Sequence, residues 1–423
     1  MKIKITIILA VLFVFVFSFN AWAQEIFLTL DEALSIALRD NHDILLKQDD
    51  VEKAKAKIKE ANSGLLPTLT FTAGVNRTSG YYAKDLTQAT AQATIKQYLY
   101  KGGKTINTIK KNEYDLEVSE ALLDKAKLDI VSSVEKAFYT LSLAEEFVYL
   151  NKGIVDNIRL HLDSLKERYE RGLVSESDIL NIESSLENAE EAYENSLNQL
   201  EASRALLNNL LYLDSDTMIS ADAEFAYNTE DVVYEESLAE AIKNRPEIRQ
   251  YDAQIKADKK NVEITKADNR PTIYASWDYY SRSHSATGTN RNQNDYNIAG
   301  ITFSWPIFDG WLTKTKVEQA IIDLKESQIM KEKAVKDLSL ELKNAYLSLK
   351  DAVAKIKSVE SDIKVYSDNL STVNKRYQRG LNSFLDRDDA SLKYDIATFN
   401  KKQAIYDYTI AKIDFEKATG GLQ

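Results

Sequence analysis

The side chains with most scope for chemistry in this 423-residue sequence are carboxylates set close together after a glycine turn. Asp386 and Asp389 stand one helical turn apart, with Asp388 between them, and follow Gly380-Leu381-Asn382-Ser383. A related segment, Gly172-Leu173-Val174-Ser175, precedes Asp178. Ser175-x-x-Asp178 and Ser383-x-x-Asp386 both read as capping boxes, in which the serine and the acid satisfy the free N–H groups that open a helix.

Residue types that ordinarily run catalysis are sparse. His42, His161 and His284 are scattered, lack the i, i+4 spacing of a metal site, and read as surface residues. With no cysteine, disulfides, thiolate metal sites and cysteine nucleophiles are excluded. Lys101-Gly102-Gly103-Lys104 resembles part of a phosphate loop without its glycine-lysine-hydroxyl spacing, and no Gly-x-Ser-x-Gly or dinucleotide fingerprint is present. A formal charge of -11 and a pI near 5.1 argue against a nucleic-acid partner. On charge alone, a soluble acidic protein remains open.

The elements that must carry these residues are legible in the rest of the chain. Lys2 and Lys4, the apolar run from Ile5 to Phe17 and Ala21-Trp22-Ala23 read as a secretory signal over residues 1–23, with Gln24 as the expected mature start. No later stretch approaches the roughly 20 apolar residues of a membrane helix, so a membrane crossing would have to use strands. Residues 311 to 379 hold neither glycine nor proline, which favours one very long helix. At about 1.5 Å per residue it would reach roughly 100 Å.

The two halves of the sequence repeat one another. Leu34-Ser35-Ile36-Ala37 and Asn41 match Leu238-Ala239-Glu240-Ala241 and Arg245, and Pro67 and Pro271 are 204 residues apart. Leu99-Tyr100-Lys101-Gly102 matches Ile307-Phe308-Asp309-Gly310, and Arg168-Tyr169-Glu170-Arg171-Gly172-Leu173 matches Arg376-Tyr377-Gln378-Arg379-Gly380-Leu381 at an offset of 208. Four residues are therefore added inside the intervening β-like region of the second copy. The expected division is a first repeat over 24–211, a linker or equatorial segment over 212–235, and a second repeat over 236–423. Each repeat is expected to run helix, two strands (about 66–101 and about 270–308), then two long helices (about 103–170 and 175–211; about 311–378 and 383–419).

Heptads run along the longest helices. Val134, Leu141, Val148, Val155, Leu162 and Tyr169 recur in the first copy; Val335, Leu342, Leu349, Ile356, Ile363, Leu370 and Tyr377 recur in the second. A 3.5-residue period of this length implies helices supercoiled on neighbours. Gly153 interrupts only the first copy and would mark a bend. Taken alone, these helices fit a plain coiled-coil stalk equally well.

The strands tip that balance. Leu69, Phe71, Ala73 and Val75 alternate with Thr68, Thr70, Thr72 and Asn76, and the period of two continues through 88–100 and after Pro271. Tyr81, Tyr82, Tyr98, Tyr100, Trp277, Tyr279, Tyr280, Trp305, Phe308 and Trp311 gather at strand ends, where amphipathic rings suit the headgroup level of a bilayer. Ordinary aromatics of a small soluble sheet are the alternative. Strands of about ten residues can cross a bilayer when tilted, but four cannot close a barrel. Two copies would make eight strands with a filled interior, and three would make twelve and leave a conduit.

Taken in order and twice over, these motifs resemble the TolC-type outer membrane efflux proteins, across essentially the whole mature chain. The resemblance rests on the Leu-x-x-Ala openings, Leu66-Pro67 and Arg270-Pro271, Tyr100-Lys101-Gly102-Gly103 and Phe308-Asp309-Gly310, and the two Tyr-x-x-Gly turns. It implies an α+β membrane protein in the outer membrane, with a transmembrane β-barrel shared by three protomers and long helices forming a periplasmic α-barrel. It also implies a homotrimer that works with a periplasmic adaptor (membrane fusion) protein and an inner-membrane transporter, with no cofactor and no catalysed reaction. By the same resemblance, the turns at Gly172, Leu173, Val174, Gly380 and Leu381 contact the adaptor. Asp386, Asp389, Asp178 and Tyr377 belong to the pore gate, where carboxylates from three protomers would bind cations and resist anions. A basic gate residue of the family is replaced by Asn382, and Asp388 is an additional acid.

Overall fold

The computed structural model describes residues 26–80, 86–223, 225, 227–228, 232–286 and 289–421. The expected signal segment and two of the expected interface aromatics, Tyr81 and Tyr82, lie outside them. In chain order the elements are β1 (Ile26–Leu28), α1 (Leu30–Asp40), α2 (His42–Ser63), β2 (Thr68–Thr78), β3 (Leu86–Lys101), α3 (Lys104–Glu170), α4 (Glu176–Leu211) and β4 (Ile219–Ala221). They continue as α5 (Tyr234–Asn244), α6 (Pro246–Lys266), β5 (Thr272–Ala286), β6 (Thr289–Ser304), α7 (Leu312–Gln378) and α8 (Phe384–Thr419), with a 3₁₀ turn at Ala267–Asn269. Helices α3 and α7 have 67 residues each, and α4 and α8 have 36 each. Strand β5 is longer than β2, at 15 residues against 11, the same four residues by which the motif offsets differ.

The chain divides into two compact units. The first comprises residues up to 45, 126–244 and from 338 on. Its core is Val134, Phe138, Leu141, Leu207, Leu211 and Ile219, packed with Ala33 and Ala37 of α1. Beside it, β1 pairs in parallel with β4, a three-residue strand inside the segment expected to be a linker. Buried Arg204 and Asn208 of α4 tie down that crossing: Arg204 Nε donates to the Ile219 carbonyl at 2.9 Å, and the Asn208 amide donates to the Thr217 carbonyl at 2.9 Å. The Leu-x-x-Ala motif ends at Asn41 for a physical reason. Its side-chain oxygen accepts from the Asp43 amide at 2.9 Å and so opens α2, while its amide donates to the Leu210 carbonyl at 3.3 Å. The second copy opens α6 with Pro246 at the first helical turn instead.

Heptad positions Val134, Leu141, Val155, Leu162, Leu342 and Ile356 are buried as their period requires. Beyond Ile356 the same positions of α7 are only half-buried. A second seven-residue series runs along α8, where Ala390, Ala397, Ala404, Ala411 and Ala418 are all buried. Small side chains at that spacing let helix backbones approach closely. The expected bend at Gly153 takes no toll on helical continuity, since α3 runs unbroken from Lys104 to Glu170.

The second unit, residues 46–125 and 245–337, holds a four-stranded antiparallel sheet in the order β2-β3-β5-β6. Register sets Leu69 beside Ile95 and Trp277, Phe71 beside Ala93 and Tyr279, and Ala275 beside Ile301. Directly paired residues share a face, so the apolar side chains gather on one face, joined there by Ser281, Asn297 and Asp295 of β5 and β6. This face is also exposed: Leu69, Phe71, Val75 and Ile301 are 71–73% accessible. The opposite face is polar and internally bonded. Thr94 Oγ1 donates to Asp278 at 2.6 Å, Gln92 donates to the Tyr280 hydroxyl at 2.9 Å, and Tyr280 stacks on Tyr296 at 5.0 Å. Among the described residues no helix is long and apolar enough to cross a membrane.

Gly102 turns β3 into α3 at φ +62°, and a Cβ there would lie 2.7 Å from the Arg270 Cβ and 2.9 Å from the Ala267 carbonyl. Its counterpart Gly310, at φ +69°, has open space around it. Gly310→Ala should therefore cost only the left-handed backbone penalty, about 1–2 kcal/mol. Gly102→Ala should lower the melting temperature of the purified protein further, and equal melting temperatures would contradict the close approach.

Candidate functional site

Two turns in the first unit carry the candidate gate and tip residues. At the end of α3 the Gly172 amide donates to the Tyr169 carbonyl at 2.8 Å and the Leu173 amide to the Arg168 carbonyl at 3.0 Å. At the end of α7 the Gly380 amide donates to Tyr377 at 2.9 Å and the Leu381 amide to Arg376 at 2.9 Å. Both are glycine-closed helix ends, with φ +69° at Gly172 and +72° at Gly380. Leu173 and Leu381 stand out at 69% and 65% accessible, though nothing in the turn geometry asks for an exposed leucine. Val174, expected to be exposed with them, is half-buried.

Capping boxes open both following helices. Asp178 Oδ2 accepts from the Ser175 hydroxyl at 2.7 Å and amide at 2.9 Å; Asp386 Oδ2 accepts from the Ser383 amide at 2.7 Å and hydroxyl at 2.9 Å. These bonds hold both carboxyls below the ordinary aspartate range, with the Ser175 hydroxyl contributing most at Asp178 and the Ser383 amide at Asp386. Capping and charge are therefore compatible: each acid is anchored through one oxygen and stays ionised and exposed. Asp389 is exposed as well, whereas Asp388 is half-buried against α3, where the Asn157 amide donates to it.

Tyr377 has a partner that spacing alone did not identify. The Arg387 guanidinium lies 5.2 Å from the Tyr377 ring and 4.5 Å from the Phe384 ring, bridging the end of α7 to the start of α8. Arg387, five residues beyond Asn382, is thus one cation of this tip, and Arg376 also acts on Asp386. His161 also departs from expectation. It is not a surface residue but 18% exposed, with Nε2 3.2 Å from Asp389 Oδ1.

These last contacts belong to a polar seam between α3 and α8. Asp129 pairs with Lys417 at 2.7 Å, Lys136 with Asp414, the Thr140 and Tyr406 hydroxyls meet at 3.0 Å, and Glu146 pairs with Lys402. Arg159–Glu190 at 2.7 Å and Lys166–Glu183 at 3.1 Å join α3 to α4, while Lys355–Asp407 at 2.6 Å joins α7 to α8. The lateral order in this unit is therefore α4-α3-α8-α7. An open groove of about 560 Å³ interrupts the seam, lined by Tyr149, Gly153, Leu392 and Phe399 among others.

The aromatics of the second unit divide by face. Trp277 and Tyr279 lie on the apolar face of the sheet, and the bulge at Leu99 brings Tyr100 opposite Ile273 on that face too. Tyr98 lies instead with the polar set, where Lys96 and Lys101 approach its ring at 4.8 and 4.0 Å. Tyr98, expected at the membrane interface with the others, thus stands on the opposite face from Trp277 and Tyr279. Trp305 and Phe308 follow β6, the first donating to the Asn269 carbonyl at 3.2 Å and the second meeting Trp311 edge-on.

The family model of outer membrane efflux proteins matches residues 33–211 and again residues 237–421. The chain belongs to that family. Protein CyaE of Bordetella pertussis is 21% identical over 314 residues, covering 73% of this chain and 66% of that protein. Among solved structures, the Campylobacter jejuni CmeC outer membrane channel aligns with a TM-score of 0.76 at 18% identity, over 93% of this chain and 85% of CmeC. The open state of the Neisseria gonorrhoeae MtrE outer membrane channel aligns at 0.73 and 19%, over 93% and 89% of the two chains. At such identities the likeness is one of fold, and this chain has the fold of the TolC-type channels.

The seam between α3 and α8 contains one poorly matched pair. Burial pushes the Glu135 carboxyl up to about 7, Glu416 adds repulsion, and Glu135 Oε2 has no hydrogen-bond partner among the described residues. The folded state holds this proton more tightly than an unfolded glutamate near 4.5, so stability falls as pH rises between those values. Glu135→Gln should raise the melting temperature at about pH 8 and change it little toward about pH 5. A substitution effect of equal size at both pH values would refute this assignment.

Proposed function

We propose that this chain is one protomer of a homotrimeric outer-membrane exit channel, built from two copies of one helix, strand-pair, helix unit. Substrates delivered by an inner-membrane transporter and a periplasmic adaptor protein pass through it without chemical change. The observation that carries the reading is the sheet: an exposed apolar face, a hydrogen-bonded polar face, and two edge strands, β2 and β6. In a bilayer an apolar face is solvated by lipid, but an open sheet edge is not tolerated there. Pairing β2 of one copy with β6 of the next removes both edges, and three copies give twelve strands around a polar lumen.

On this reading Tyr100, Trp277, Tyr279, Trp305 and Phe308 meet the membrane interface. Leu173, Val174 and Leu381, with the turn glycines Gly172 and Gly380, present the adaptor contact. Asp386 and Asp389 line the entrance, with Tyr377 held by Arg387 and Asp178 at the neighbouring tip. The paired helix lengths, 67 with 67 and 36 with 36, support the duplication.

In planar lipid bilayers the purified protein should conduct as a stable trimer and be blocked from the entrance side by polyvalent cations. Asp386→Asn combined with Asp389→Asn should weaken that block about tenfold or more, as expected when several converging carboxylates are neutralised. Unchanged block would remove these residues from the gate. No conductance from any form would favour a membrane-anchored coiled-coil stalk or adhesin without a pore.

A further inference from the structure

Helix α8 is gripped twice by consecutive turns of α3 directly above the second tip. Asn157 donates to Asp388, and His161, four residues on, sets Nε2 3.2 Å from Asp389 Oδ1. That nitrogen is buried and has no hydrogen-bond partner among the described residues, because its approach to Asp389 is within ion-pair range but off hydrogen-bond alignment. A neutral imidazole gains little from such a contact. An imidazolium in the same place gains the full attraction of the carboxylate.

The contact is confined to one copy of the repeat. At the 208-residue offset His161 corresponds to Asn369 and Asp389 to Asn181, neither of which can carry charge. Other charged groups around His161 leave Asp389 as its main partner. Asp388 is occupied by Asn157; Glu183 and Glu190 of α4 are paired with Lys166 and Arg159 of α3. Glu187 of α4, Asp163 of α3 and Lys393 of α8 are exposed to solvent.

We propose that His161 and Asp389 form a proton-controlled latch, which holds α3 to α8 at the tip when the imidazole is charged and lets the entrance loosen when it is neutral. The proposal rests on the channel reading above and adds its regulation. Imidazoles as a class change charge in the range where external acidity varies, and the partner set against this one is a carboxylate. The sign follows: the pair is complete at the acid end of that range and is lost as pH rises through it. A half-exposed ion pair shifts an equilibrium by up to about fivefold, and copies opening together compound the effect.

The test is open probability in planar bilayers at about pH 5.5 and about pH 7.5, either side of imidazole titration. Wild-type protein should open severalfold more often at the higher pH. His161→Gln and Asp389→Asn should open equally at both, and His161→Lys should remain restrained at both. A wild-type pH step retained in all three variants would overturn the latch. Hydrogen exchange of the unsubstituted protein reads the same contact without mutation: after correction for chemical exchange rates, peptides spanning 157–165 and 385–393 should be severalfold better protected at the lower pH. Equal protection would also overturn it. A wild-type protein that assembles but never conducts would refute the channel reading instead, with the exchange measurement still deciding the latch.

Discussion

The constraint on which the second unit depends is that four strands carry more apolar surface and more open backbone than one chain can satisfy. Leu69, Phe71 and Val75 sit on an edge strand and remain more than two-thirds exposed, while the other edge strand carries Ile301 at 73% and Phe303 at 61%. In water such a sheet is an aggregation template. In lipid its apolar face is at home but its edges are not, and closure with identical sheets answers both demands at once. In the channel proposed above the polar face would be the lumen wall, and Thr94, Asp278, Gln92 and Tyr280 are already bonded to one another and ask for little beyond water.

The first unit solves a different problem. Its helices are long, and helix pairs of that length would be welded together by unbroken leucine seams. Leucine and isoleucine fill the positions near Leu342 and Ile356, but α8 presents alanines every seven residues and meets α3 through ion pairs and hydroxyls. Individual exposed ion pairs contribute little to stability, yet they fix which residues face each other. Such a contact surface specifies register without a deep apolar lock.

Asymmetry between the copies is where local chemistry departs from the shared architecture. Asn41 caps a helix where Arg245 and Pro246 open one by a different device. Gly102 is crowded by Arg270, whereas Gly310 is free. Asp178 and Asp386 cap their helices alike, but only the second copy adds Asp388 and Asp389 and has both of them engaged from α3. Segments with matching helix lengths therefore differ in side-chain contacts, and the acids after the second tip are the ones engaged from α3.

Much of this was legible in the residues alone, because periodicity is a local property. The run without glycine or proline declares a long helix, the alternation after Pro67 and Pro271 declares strands, and Ser-x-x-Asp declares a helix start. Each depends on neighbours within a few positions. What the tertiary structure alone decided is which distant residues meet. Three-residue strands such as Ile219–Ala221 have no period to detect and exist because Ile26–Leu28 lies beside them. A single bulge at Leu99 sends Tyr98 to the polar face and Tyr100 to the apolar one. His161 reads as a scattered surface residue until α8, more than 200 positions away, brings Asp389 to its ring. Spacing in a sequence reports which side of its own element a residue faces; the partner across the gap is set by packing, and so is the chemistry that depends on it.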